Sequence, residues 1–85
     1  MGKEIEMAVN RNSEVTFEII EHIGVINAFS TGWKKELNLV SWNGAAPKFD
    51  IREWDTEHEH MTKGITLTEK EIRAIVDLYS KRDVI

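Results

Sequence analysis

The sequence has no cysteine, so neither a disulfide nor a thiolate-held metal can stiffen the fold. It also lacks long apolar runs. Its longest stretches are a few residues, far short of the roughly 20 needed to cross a bilayer as a helix. The opening residues, Met1-Gly2-Lys3-Glu4-Ile5-Glu6, lack the basic region and apolar stretch of a secretory signal. A cytoplasmic protein with no membrane partner is expected, and association with the nucleoid is compatible with that. An excess of positive charge is missing too: the net charge is −4, which argues against a uniformly basic surface for duplex DNA. There is no glycine-rich phosphate loop, no Gly-x-Ser-x-Gly elbow and no cysteine nucleophile. The carboxylates are plentiful but scattered. The chain is therefore not expected to be an enzyme, and nothing calls for a cofactor. His58 and His60, flanked by Asp55, Glu57 and Glu59, lack a third firm ligand at a supporting spacing, so they read as a hydrophilic loop with no metal.

What remains is one small domain. A chain of 85 residues buries a modest fraction of its surface, and without disulfides or metals the available supplement is oligomerisation. The charge is unevenly spread. Residues 1–32 balance to −3 and residues 55–85 to −2, while residues 33–54 balance to +1 and hold all three tryptophans.

Residues 1–13 are polar and are expected to form a flexible arm, with the folded domain spanning 14–85. From Val15 to Phe29 apolar residues fall mostly on odd positions, which is strand periodicity placing Glu18 and His22 on the opposite face. Ile20 and Gly24 interrupt it, as a bend or bulge does. Ser30-Thr31-Gly32 reads as a turn, and a second strand runs from about Trp33 to Trp42. Asn43-Gly44 is a tight-turn signal, lengthened by Ala45-Ala46-Pro47. The third strand, Lys48 to Trp54, points Phe49 and Ile51 one way and Lys48, Asp50, Arg52 and Trp54 the other. A charged loop and a short strand, about Lys63 to Leu67, come next. Thr68 and Glu71 form a capping box, and Leu67 and Ile72 stand as a hydrophobic staple. Ile72, Ile75, Val76 and Tyr79 then repeat at helical spacing. The fold class is α+β: four antiparallel strands followed by one C-terminal helix. One short helix cannot cover the sheet and its own stripe, so a homodimer is expected, with those four residues serving the core or the dimer.

The polar side of the third strand carries the chemistry, while its Phe49 and Ile51 side is expected to be core. Lys48, Arg52 and Trp54 alternate there, and Lys34 and Trp42 share a face of the strand before. Cations interleaved with aromatics suit a groove that tracks phosphates while bases stack. Two readings stay open at this point, because small sheets also use half-buried tryptophans as core beneath a solvated charged face.

Lys48-Phe49-Asp50-Ile51-Arg52-Glu53-Trp54, then Met61-Thr62-Lys63-Gly64-Ile65-Thr66-Leu67 after an acidic loop, resembles the transcriptional positive-cofactor-four family (the coactivator p15 C-terminal domain). Gly32 to Gly44 resembles its bacterial YdbC-like branch, and the similarity runs from about Phe17 to Tyr79. The resemblance implies a curved four-stranded sheet, dimerised so that the sheets form channels for unpaired DNA, with roles in transcription, replication or repair. It assigns the strand arginine to Arg52, the lysine before Gly-Ile to Lys63, the strand-end aromatic to Trp54, a turn aromatic to Trp42 and a turn-side lysine to Lys48. Asp55 stands where eukaryotic members have a second aromatic.

Strand parity and the family pattern converge on Lys48, Arg52 and Trp54. The expected DNA-binding set is Trp33, Lys34, Trp42, Lys48, Arg52, Trp54 and Lys63, contacting single-stranded DNA with little regard to base sequence. The alternatives are RNA on the same face, since 2′-hydroxyl contacts leave no mark in sequence, or a protein-interaction module docking through its acidic surface.

Overall fold

The structure, a computed structural model, describes residues 15–82. The arm expected at residues 1–13 lies outside the described residues. Four strands and a helix run in order: β1 Phe17–Ala28, β2 Lys34–Trp42, β3 Lys48–Trp54, β4 Ile65–Leu67 and α1 Glu69–Lys81. The strands form one open sheet in the order β1-β2-β3-β4, every neighbour antiparallel. The fold class expected from the sequence is thus present in the chain.

Local chemistry sets the turns. Asn43 and Gly44 both take positive φ, 52° and 76°, and the Ala45 N–H donates to the Trp42 carbonyl at 2.9 Å. That is the mirror-image turn whose twist matches antiparallel strands. Between β1 and β2 the Gly32 N–H donates to the Phe29 carbonyl, and Gly32 adopts a φ of 99°. β4 begins at Ile65, two residues later than the sequence suggests, because Gly64 lies flat against the Ile51 carbonyl and the Arg52 stem.

β1 departs most from simple alternation. Its 12 residues face 9 in β2, with register shifts between Ile19 and Glu21, His22 and Gly24, and Val25 and Asn27. The extra residues are Ile20, Ile23 and Ile26, all exposed. Each bulge resets the facing of the residues beyond it. His22, expected beside Glu18 on the opposite face from Phe17, is instead paired with Asn38 on the face that carries Phe17 and Ile19.

The register also shows which way the sheet bends. Trp54 pairs with Lys34, and Phe17 pairs with Trp42, eight positions further along β2. In a flat sheet those positions are roughly 26 Å apart. The Phe17 and Trp54 ring centroids are 5.2 Å apart. Only a strongly curved sheet, concave on this side, allows both. Lys34, Glu36, Asn38, Val40 and Trp42 of β2 and Lys48, Asp50, Arg52 and Trp54 of β3 therefore share the concave face.

This reverses the expectation that the core lies on the Phe49 and Ile51 side. Among the described residues the fully buried side chains are Trp54, Val40, Asn38 and Asp50, all on the concave face. Leu37, Leu39, Phe49 and Ile51 on the outer face are half-buried. Curvature encloses the first set, and the loop after β3 folds back over it through the Trp54–Met61 bridge.

α1 starts as its sequence dictates. The Thr68 hydroxyl accepts from the Glu71 N–H at 3.1 Å, and the Glu71 carboxylate accepts from the Thr68 N–H at 2.8 Å. Its apolar stripe finds little cover within one chain. Ile72 is half-buried, whereas Ile75, Val76 and Tyr79 are exposed, with Leu78 beside them.

Candidate nucleic-acid interface

The concave face has a hydrogen-bonded polar floor and a cationic rim. At its centre the buried Glu36 carboxylate accepts from His58 Nε2 at 3.0 Å and from the Asn38 amide nitrogen at 3.0 Å. A carboxylate only accepts, so the Asn38 amide turns its oxygen toward His22, whose Nδ1 donates to it at 2.8 Å. The network spans β1, β2 and the loop after β3. Beside it, fully buried Asp50 receives the Arg52 fork, Nε on Oδ1 at 2.7 Å and Nη2 on Oδ2 at 2.8 Å. Charges that would be costly to bury singly are thus paired and hydrogen-bonded.

The aromatic residues pack around this floor. Phe17 lies tilted against Trp42 at 5.8 Å and Trp54 at 5.2 Å, and Trp54 meets the His58 ring at 5.5 Å. The Arg52 guanidinium sits 4.6 Å from the Trp42 ring centroid. Both indole N–H groups are buried without an acceptor, a cost of about 1–3 kcal/mol each.

The expected site residues divide into two groups. Lys34, Lys48 and Lys63 are exposed, and among the described residues no carboxylate pairs with any of them. Trp42 is half-buried on the concave face, and Trp33 is half-buried where it closes the β1–β2 hairpin, its carbonyl accepting from Phe29 at 2.8 Å. Trp54 requires correction. Its ring is fully buried between Phe17 and His58, so in this conformation it is core and offers no open face to a base. Arg52 likewise differs from the freely solvated cation that parity suggests, being only 13% exposed and bound to Asp50.

Sequence reasoning missed Phe17, Glu36, His22 and His58 as parts of this site. Glu36 was within reach, since it sits between Lys34 and Asn38 on their shared face. His22 was hidden by the bulges. No local pattern marks His58, which arrives through the loop.

That loop is closed by Asp55. Burial pushes the Asp55 carboxyl up, but the His60 ring at 2.7 Å and the backbone N–H groups of His60 and Glu59 outweigh it, and the net displacement is below the ordinary aspartate value of 3.8. Among the described residues no group of three His, Cys, Asp or Glu side chains is placed to hold a metal, and no helix is long and apolar enough to cross a membrane.

A curved, open four-stranded antiparallel sheet closed by one capped helix, with a lysine rim over an aromatic floor, defines a small ββββα domain with a concave face. Residues 29–78 match the family described as Transcriptional Coactivator p15 (PC4), and the chain belongs to that family. It is also 40% identical over 67 residues to an uncharacterized protein of Treponema pallidum (strain Nichols), covering 79% of each chain.

Proposed function

We propose that this protein binds single-stranded DNA as a homodimer, largely without regard to base sequence, and performs no catalysis. The observation that carries this reading is the concave face of a member of the coactivator p15 family: Lys34 and Lys48 stand exposed on either side of a floor that includes the half-buried ring of Trp42. Lysines meet phosphates by charge, and an indole face accepts any base. Curvature supports a single strand over a duplex, because unpaired bases can turn into a concave, aromatic surface. The polar side chains of the floor already satisfy one another, which leaves few groups to read base edges.

The homodimer rests on α1. Ile75, Val76 and Tyr79 are exposed on the helix, and Leu37, Leu39, Phe49 and Ile51 are half-buried on the outer sheet face, which together leave apolar surface that pairing of two copies would bury. The biological setting consistent with this activity is transcription, replication or repair in the cytoplasm or at the nucleoid, as in a bacterial branch of the family.

A fluorescence-anisotropy titration of labelled oligo-thymidine tests the reading, with matching duplex and RNA as competitors. Binding that duplex fails to displace is the expected result. Log affinity should fall against log salt with a slope of roughly −2 to −3 for three or four phosphate contacts. Preferential displacement by RNA would move the ligand class to RNA, and no binding at low salt by folded protein would remove the reading.

A further inference from the structure

Arg52 stands in the interface with its guanidinium already committed. Nε and Nη2 fork onto both oxygens of Asp50, and Nη1 faces the Thr62 carbonyl at 3.4 Å and the Met61 sulfur at 3.8 Å. The guanidinium carbon lies over the Trp42 ring, 4.6 Å from its centroid. The approach from β4 is closed as well. A Cβ at Gly64 would collide with the Ile51 carbonyl and the Arg52 Cβ, so glycine there lets the backbone lie directly on the arginine stem. Asp50 is fully buried, and transferring Arg52 to a phosphate would strip that carboxylate of its only paired cation among the described residues.

We infer that Arg52 is a positioning residue: with Asp50 it clamps the Trp42 ring in the plane that a base stacks on, while Lys34, Lys48 and Lys63 meet the phosphates. The inference rests on the single-strand reading of the concave face and assigns a division of labour within it. Planarity matters to this role more than charge does. A guanidinium can fork onto a carboxylate and stack on an indole at once, and an ammonium cannot. Glycine at 64 and the buried carboxylate at 50 then belong to the same device, one clearing space for the arginine and the other fixing its angle.

The test compares the salt dependence of oligo-thymidine binding by the wild-type protein, Lys48→Ala, Arg52→Gln and Arg52→Lys. Lys48→Ala should flatten the slope by about 0.7, the signature of one lost single-strand phosphate contact. Arg52→Gln should weaken binding about tenfold, within the range of one stacked base, and leave the slope unchanged. Arg52→Lys should be weakened similarly, because restoring charge does not restore the plane. A second readout uses an oligonucleotide carrying 2-aminopurine, whose emission is quenched by stacking on an indole. At saturation the Arg52 variants should quench less than wild type, whereas a change in stability alone would leave the saturated complex unaltered.

Flattening of the slope by Arg52→Gln, with affinity restored by Arg52→Lys, would make Arg52 a phosphate ligand and overturn the clamp. Should Arg52→Gln fail to fold, Arg52→Lys decides alone: wild-type affinity overturns the clamp, and weakened binding at unchanged slope supports it. Wild-type protein that binds no oligonucleotide removes the single-strand reading and the clamp with it. Binding by wild type together with a flattened slope in the arginine variants brings down the clamp alone.

Discussion

On the concave face of the sheet Glu36, Asn38, Asp50 and Arg52 satisfy one another, and Trp54 and Val40 are sealed from solvent within a single chain. On the outer face Leu37, Leu39, Phe49 and Ile51 stay half-buried beside a helix whose own stripe is exposed. The first face is complete in one copy and carries polar groups at its centre. The second is apolar and incomplete. Burial and hydrophobicity are thus distributed by curvature as well as by pattern. A strongly bent sheet can enclose charged residues on its concave side, provided each finds its partner, and leave its most apolar side for association.

Three substitutions and one change of pH probe that contrast. Trp54→Ala strikes the completed face, and loss of the largest fully buried side chain should cost about 3–5 kcal/mol in urea unfolding at fixed protein concentration. A loss below about 1 kcal/mol would mean the concave face is not a core. Ile75→Asp strikes the incomplete face. It should weaken self-association by roughly 2–3 kcal/mol over two copies while the helical circular-dichroism signal persists. Wild-type protein that sediments as a monomer at all concentrations would refute the homodimer.

Smaller effects are expected where neither face is touched. Thr68→Ala removes one half of the capping box and should cost about 1 kcal/mol, read as a lowered unfolding midpoint. Acid should loosen the loop over Trp54 through Asp55. Its folded value lies below the ordinary 3.8, so its contribution is complete above that pH and is lost as the pH falls through the folded value. The effect should stay under about 1 kcal/mol, appear as lowered amide protection factors at residues 55–60 in acid once the slower intrinsic exchange is divided out, and vanish in Asp55→Asn.

The strands and helix were legible because their signals are local. β3 falls on Lys48–Trp54, the bounds its alternation suggests, and the capping box at Thr68 and Glu71 marks the helix start to the residue. β1 was legible as a strand but not in its facing, since three inserted isoleucines change parity without changing composition. The candidate site was half legible. Lys34, Trp42, Lys48 and Arg52 do share a face, as alternation requires. Whether that face is open or closed lies outside what alternation can say, and for Trp54 the answer is closed.

The order of elements, the turns at Asn43-Gly44 and Gly32, the helix cap and the residues that share each face of β2 and β3 were all written in the chain, because each depends on neighbours within a few positions. Folding in three dimensions was needed to make the polar face the concave one, to bury Trp54 as core, to hold Arg52 on Asp50, and to bring His22 and His58 both to Glu36. Those outcomes depend on how far the sheet bends and where a loop returns, and both are set by contacts between residues distant in the chain.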